Sequence, residues 1–173
     1  MAEAAEIPAE THPHDGSATA VLRRTMVERQ LRTFDVTDLP LLRRFLTVPR
    51  EIFLPHGLAP LAYSDLPIVL ESEQGRPLRH LPPPLVLARL LQEAEIRPSD
   101  RILLVGGGTF YSAAIVAPLA REVVALESDE RLVASARSYL RAAGVGDVRV
   151  ERGPLPGGVP VAAPFDVIVV EGA

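Results

Sequence analysis

The feature that most constrains this chain is the alternation of short apolar runs with helical segments through its second half. The predicted strands and helices, in chain order, are 101–105, 111–121 (helix), 122–126, 129–143 (helix), 148–150 and 165–170. Strands that alternate with helices predict βαβ crossovers and a parallel sheet. The uninterrupted apolar run at 167–170 is typical of a strand that is covered on both faces. We therefore predict an α/β fold in which a parallel sheet has helices on both faces.

Three consecutive glycines, Gly106, Gly107 and Gly108, lie between the first of these strands and the first helix. Glycine lets the backbone approach a ligand closely, and N–H groups at a helix start bind such a ligand. Glu127 ends the next strand, about 20 residues further on, which is the spacing expected for an acid that binds ribose hydroxyls. This order predicts a binding site for an adenosine-containing ligand. The alternative is a simple tight turn followed by a solvated acid.

The first half of the chain is predicted to form a small helical cap followed by a loop. Helical spacing begins at Thr19, and Asp38 caps a second predicted helix that has Pro40 in its first turn. Residues 71–84 are polar and rich in proline, which predicts an extended loop. Residues 1–18 have few large apolar groups and are predicted to be a disordered tail. The prediction is one globular domain with three parts: tail 1–18, helical cap and loop 19–96, and ligand-binding half 97–173.

Composition excludes several kinds of site. The 173 residues contain no cysteine, which excludes disulfides, thiolate metal sites and cysteine nucleophiles. A net charge of −4 argues against a nucleic-acid surface, and the apolar runs are too short to span a bilayer. The N-terminal sequence is acidic and lacks the layout of a signal peptide. We therefore expect a cytoplasmic protein that binds no metal, no nucleic acid and no membrane.

Several segments resemble, in order and spacing, the protein-L-isoaspartate O-methyltransferases. The similar segments are 26–32, 36–38, 48–50, 53–55, 62–65, 97–114 and 163–169. The resemblance covers nearly everything after residue 20. It implies a Rossmann-like methyltransferase fold, S-adenosylmethionine as methyl donor, and the carboxylate of an isoaspartyl residue in a damaged protein as acceptor. By this resemblance, Gly106 and Gly108 approach the donor and Glu127 holds its ribose.

The chain departs from the family pattern at positions that the family uses for chemistry. The hydroxyl residue of the family's active loop falls at Pro82, which has neither a hydroxyl nor an N–H group. His80 is then the candidate catalytic residue, with an ordinary loop histidine as the alternative. Phe110 stands at the third glycine of the family's turn, where its ring is expected to fill part of the donor pocket. Leu104 and Pro154 replace two acids that the family usually has there.

The sequence ends soon after the fourth predicted strand, whereas a complete fold of this type would continue. Strand 165–170 is then expected to expose an apolar edge, so either the sequence is a fragment or another chain covers that edge. We expect self-association or binding of a partner chain there. Three functions remain open: an S-adenosylmethionine-dependent methyltransferase, a catalytically silent family member that acts as a binding or assembly module, and another nucleotide-binding Rossmann protein such as an NAD enzyme. The glycines and Glu127 favour the first, and Pro82 leaves its activity uncertain.

Overall fold

A computed structural model describes residues 17–71 and 77–171, and it begins with a layer of helices. These are α1 at Ala18–Met26, continued by a π turn at Val27–Leu31 and a 3-10 turn at Arg32–Phe34, then α2 at Leu39–Thr47 and 3-10 segments at Arg50–Phe53 and His56–Leu61. The predicted cap of α2 is present, since Oδ1 of Asp38 accepts a hydrogen bond from the Leu41 N–H at 2.9 Å. The predicted tail lies outside the described residues except for Ser17 and Ala18, which cap and begin α1.

An antiparallel hairpin stands where the sequence predicts a loop over residues 71–84. Strand β1 spans Ile68–Glu71 and strand β2 spans Pro77–Leu81, with Leu70 paired opposite Arg79. The residues between the two strands lie outside the described part of the chain. The prediction of a loop is wrong because pairing between two segments supplies the backbone hydrogen bonds of this region, and neither segment reveals that pairing alone.

The second half of the chain forms the parallel α/β arrangement that the sequence predicts. Its elements are α3 at Pro84–Glu93, β3 at Arg101–Val105, α4 at Tyr111–Val116, β4 at Glu122–Glu127, α5 at Glu130–Ala142, β5 at Arg149–Arg152 and β6 at Val167–Val170. Helix α4 ends earlier than predicted because Pro118 has no N–H to continue it, and a 3-10 turn follows at Ala117–Leu119. No helix among the described residues is long and apolar enough to cross a bilayer.

The two faces of the sheet are covered differently. The face that contains Ile102 and Leu104 packs against α3, α4, α5 and the front helices in one large core. The opposite face, which contains Leu103 and Val105, packs against residues of segment 153–165. Proline and glycine in that segment prevent a regular helix, so it forms two short 3-10 turns instead. Within the described ranges the α-helices therefore lie on one face, which corrects the expectation of helices on both faces.

The order of the strands marks one edge of the sheet as the place for a ligand. The four strands lie in the order β5-β4-β3-β6, so the chain moves outward from β3 through β4 to β5 and then returns to the other side of β3. Ligands of open α/β sheets bind at the carboxyl ends of the strands beside such a reversal. At that edge β3 is followed by Gly106, β4 ends in Glu127 and β6 is followed by Glu171.

Candidate functional site

The turn after β3 needs glycine for two separate reasons. Gly106 and Gly108 have φ angles of 71° and 61°, a backbone conformation that favours glycine. Gly107 has no space for a side chain, because a Cβ there would lie 2.7 Å from Oε1 of Glu171 and 2.7 Å from Cδ1 of Phe110. Phe110 is fully buried with its ring against Gly107.

Glu127 is completely buried at the end of β4 and contacts the glycine turn directly. Its Oε2 accepts a hydrogen bond from the N–H of Gly108 at 3.2 Å. Its Oε1 accepts hydrogen bonds from the N–H groups of Ser128 at 2.7 Å and Asp129 at 3.2 Å. The carboxylate is therefore held rigidly by backbone donors at the edge where the sequence places the ribose site.

The guanidinium of Arg79 covers the same carboxylate. Its Nε and Nη2 donate to Oε2 and Oε1 of Glu127 at 3.0 Å each, which is a bidentate ion pair. Arg79 belongs to β2, and Leu70 of the paired strand β1 fills the space above Gly108, where a Cβ would lie 2.6 Å from Leu70 Cδ1. The hairpin thus covers both the predicted ribose acid and the last glycine of the turn.

His80, the candidate catalytic residue from the sequence, lies on the outer side of the hairpin. Successive side chains of a strand point to opposite faces. Because Arg79 faces the glycine turn, His80 faces outward, where it is exposed and paired with the exposed Val69. Arg79, rather than His80, therefore brings a polar group from β2 to the site. The alternation along the strand was the signal that could have revealed this.

Arg50 is a second buried cation, and it approaches from the front helices. Its Nε donates to the carbonyl of Ala62 at 2.8 Å and its Nη2 donates to the carbonyl of Pro82 at 2.7 Å. The guanidinium carbon lies 5.1 Å from the ring centre of Tyr111, the first residue of α4. Its Nη1 has no hydrogen-bond partner among the described residues. Burial lowers the pKa of Arg50 to about 10, so the side chain stays charged at neutral pH.

Glu171 follows β6 and lies on the other side of the glycine turn from Glu127. The hydroxyl of Ser112 donates to its Oε1 at 2.5 Å, whereas its buried Oε2 has no partner within the described part of the chain. Burial raises the pKa of Glu171 to about 7, although the hydrogen bond from Ser112 and the charge of Arg50 act in the opposite direction. This acid was not predicted from the sequence. The available signal was its position at the end of a strand, like that of Glu127.

Comparison with known proteins places this geometry in a family. Residues 23–173 match the family model of protein-L-isoaspartate(D-aspartate) O-methyltransferase (PCMT). The chain belongs to this family. It is 36% identical over 159 residues to the protein-L-isoaspartate O-methyltransferase of Koribacter versatilis, covering 92% of this chain and 69% of that protein. It is 34% identical over 156 residues to protein-L-isoaspartate O-methyltransferase 1 of Rhodopseudomonas palustris, covering 90% of this chain and 62% of that protein. The family resemblance seen in the sequence is confirmed.

Solved structures support the same fold. A protein-L-isoaspartate O-methyltransferase matches with a TM-score of 0.73 and 26% identity, over 86% of this chain and 47% of that one. A putative protein-L-isoaspartate O-methyltransferase from Plasmodium falciparum, in complex with S-adenosyl-L-homocysteine, matches in fold with a TM-score of 0.66 and 15% identity, over 88% of this chain and 72% of that one. The predicted Rossmann-like methyltransferase fold is confirmed. The chain spans 62% and 69% of the lengths of the two relatives named above.

Proposed function

We propose that this chain is an S-adenosylmethionine-dependent methyltransferase that methylates the carboxylate of isoaspartyl residues in damaged proteins. The observation that carries the proposal is the contact between Glu127 and the N–H of Gly108, at the ends of two neighbouring parallel strands in a member of this family. The names of the relatives support the acceptor. A catalytically silent binding module is the alternative, which the methyl-transfer test below separates from the enzyme.

The residues at this edge of the sheet fit an S-adenosyl donor. A carboxylate accepts both ribose hydroxyls, which is the role for Glu127, and Gly106 and Gly108 allow the donor to come close. The carboxyl group of Glu171 lies beside the glycine turn through Oε1, and its buried Oε2 has no partner among the described residues, which supports a polar ligand at this edge of the sheet. When bound, the donor supplies an electrophilic methyl group on a sulfonium. Because Arg79 holds both oxygens of Glu127, it has to leave them before ribose hydroxyls bind.

The chemistry needs little from the protein besides positioning. A carboxyl group has an ordinary pKa of about 4, so at neutral pH the acceptor is already an anionic nucleophile and needs no base. Alignment of the reacting groups and exclusion of water then account for the catalysis. The absence of a hydroxyl at Pro82 and the outward position of His80 are compatible with this mechanism. Arg50 contributes by holding the loop through the carbonyl of Pro82.

Methyl transfer to a defined peptide tests the proposal. A peptide with one isoaspartyl residue and the same peptide with ordinary aspartate would be incubated with methyl-labelled S-adenosylmethionine and the purified chain. We expect label in the isoaspartyl peptide alone, unchanged activity for His80→Ala, and loss of activity for Glu127→Gln. Binding of the donor without any transfer would contradict the enzyme proposal and support the silent binding module.

The outer face of β6 supports a second proposal, that the chain self-associates or binds a partner chain there. Ile168 and Val170 are 60% and 59% exposed. Among the described strands β6 pairs only with β3, so its other edge carries unpaired backbone groups. Sedimentation at rising concentration should show association of the wild type that Ile168→Asp weakens. A wild type that stays a monodisperse monomer at high concentration would contradict self-association.

Two further proposals rest on composition and charge alone. A cytoplasmic location and the lack of nucleic-acid binding remain proposals that follow from the net charge of −4 and the absence of cysteine. Retention of duplex DNA or structured RNA on a filter at low salt would contradict the second of them, because non-specific binding is strongest there.

A further inference from the structure

Two buried groups of opposite charge lie near the start of α4 without contacting each other. Arg50 stacks on Tyr111, and Glu171 accepts a hydrogen bond from the next residue, Ser112. The charge of Arg50 acts on the carboxyl of Glu171, yet no hydrogen bond or ion pair joins these two described side chains. Arg50 keeps one N–H donor without a partner, and Glu171 keeps one oxygen without a partner.

Such an arrangement is typical of a binding site for a polar ligand. Buried polar atoms are nearly always hydrogen-bonded, and a buried charged group without a partner is costly. The other nitrogens of Arg50 are fixed by the carbonyls of Ala62 and Pro82, so Nη1 is the donor that is left. The other oxygen of Glu171 is fixed by Ser112, so Oε2 is the acceptor that is left. The ligand has to offer an acceptor to one group and a donor to the other.

An α-amino acid group offers both, because its carboxylate and its ammonium are attached to one carbon. We propose that Arg50 and Glu171 bind the amino-acid end of the S-adenosyl donor, with the carboxylate on Arg50 and the ammonium on Glu171. This inference rests on the proposed function. The guanidinium matches a carboxylate, and the carboxylate of Glu171 matches an ammonium, so each contact is a charge-assisted hydrogen bond.

The position of the two acids relative to the glycine turn agrees with this assignment. Glu127 contacts Gly108, and Oε1 of Glu171 lies 2.7 Å from the place where a Cβ of Gly107 would be. The two carboxyl groups therefore flank the turn. In the donor, ribose and the amino-acid end likewise lie on opposite sides of the sulfur. Glu127 thus binds the ribose of the donor, and Glu171 binds its amino-acid end.

Titration of two matched ligands tests the proposal on the whole chain. S-adenosylhomocysteine carries the amino-acid end, whereas 5′-methylthioadenosine has the same adenosine thioether without it. The Glu171→Gln variant should weaken binding of S-adenosylhomocysteine by about tenfold, the effect of one hydrogen bond to a charged group, and leave 5′-methylthioadenosine unchanged. Glu130→Gln, on the exposed first turn of α5, is the control that should change neither affinity.

The other half of the site is tested by Arg50→Lys, which keeps the charge and loses the planar guanidinium. We expect it to weaken S-adenosylhomocysteine selectively as well. Its folding is checked by thermal melting, and the Glu171→Gln result decides the test if Arg50→Lys unfolds. Equal weakening of both ligands by Glu171→Gln, or no change in either, would overturn the inference. A wild type that binds neither ligand would overturn the donor site itself, and the inference with it.

Proton linkage supplies a second readout that a purely structural role would not change. The groups that act on the carboxyl of Glu171 are Arg50, Ser112 and Glu127. A ligand ammonium favours the ionised form of Glu171, so binding at a pH below 7 should release protons. Calorimetry of S-adenosylhomocysteine in two buffers of different ionisation enthalpy should detect this release in the wild type. The same buffer dependence in Glu171→Gln would contradict the role of Glu171.

Discussion

Glu127 and Glu171 stand at the ends of strands on the two sides of β3, yet they differ in how the protein satisfies them. Glu127 accepts hydrogen bonds from three backbone N–H groups and a bidentate guanidinium. Glu171 accepts a hydrogen bond from Ser112 and has one buried oxygen without a described partner. Both oxygens of Glu127 are therefore hydrogen-bonded within the protein, whereas Oε2 of Glu171 has no described hydrogen-bond donor.

A ligand therefore meets a different situation at each of the two acids. At Glu127 the hairpin supplies Arg79 in the place of ribose, so a ligand has to compete with an ion pair that is already formed. At Glu171 no described group of the chain donates a hydrogen bond to Oε2, so a ligand has nothing to displace there. Burial raises the pKa of this carboxyl group to about 7. A ligand that binds both acids would displace a side chain at one end and satisfy an unpaired atom at the other.

Among the changes that test this difference between the two acids, removal of the charge of Glu127 should have the largest effect, and that effect is on the free energy of unfolding. In Glu127→Gln, the bidentate ion pair between the buried carboxylate and the slightly exposed Arg79 is lost, because a neutral amide offers one acceptor oxygen and no charge. We expect the free energy of unfolding to fall by about 3–5 kcal/mol in urea titrations, the loss typical of a broken buried pair. The exposed Glu130→Gln change should cost less than about 0.5 kcal/mol. Similar losses in the two variants would show that the pair with Arg79 is not formed.

A methyl group at Gly107 should disturb the Glu171 side of the turn. The new Cβ would lie 2.7 Å from Oε1 of Glu171 and 2.7 Å from the ring of Phe110. We expect Gly107→Ala to lower the free energy of unfolding by about 1–3 kcal/mol, as overpacking usually does. Gly146→Ala is the matched control, because no atom lies within 4 Å of the Cβ at that position. A Gly107→Ala variant as stable as the control would mean that the turn is looser than described.

The pH dependence of stability should distinguish Glu171 from other carboxyl groups. Burial raises its pKa from 4.5 to about 7, so between these values the folded chain keeps a proton that the unfolded chain has released. Stability from this group is therefore complete below the unfolded pKa, falls as pH rises toward 7, and is constant above that. Thermal melts from pH 5 to 8 should show that Glu171→Gln removes this part of the decline. Parallel curves for wild type and variant would contradict the raised pKa.

The smallest effect should come from removing the competitor at Glu127. Arg79→Ala frees both carboxylate oxygens, so S-adenosylhomocysteine no longer has to displace a guanidinium. We expect its affinity to rise by about tenfold or less, because a binding-competent state becomes more populated. Arg149→Ala, on the outermost strand β5, should leave the affinity unchanged. A lower affinity in Arg79→Ala would show that Arg79 contacts the ligand instead of competing with it.

The glycine turn and Glu127 were predictable from the sequence, because both depend on local order along the chain. A strand, three glycines, a helix and a strand ending in an acid place these residues at one edge of any parallel sheet. The cap at Asp38 was predictable for the same reason, since a cap and its N–H partner lie within one helical turn.

The hairpin and the second acid were not predictable in this way. Arg79 reaches Glu127 only because β2 pairs with β1 and the hairpin then folds over the turn, which brings together residues 48 positions apart. Arg50 and Glu171 are further apart still, and packing of the front helices on the sheet brings each of them to the start of α4 without a direct contact between the two. No local sequence pattern predicts the contact between Arg79 and Glu127 or the positions of Arg50 and Glu171 near α4. The prolines at 82–84 suggested a loop where the hairpin lies.

Calorimetric titration of S-adenosylhomocysteine into the purified chain tests the central claim, that the edge flanked by Glu127 and Glu171 is a donor site covered by the hairpin. We expect saturable binding at one site per chain in the micromolar range, and no binding by the Glu127→Ala variant under conditions where that variant is folded. An absence of heat and of thermal stabilisation at millimolar ligand would contradict it, as would unchanged binding by Glu127→Ala.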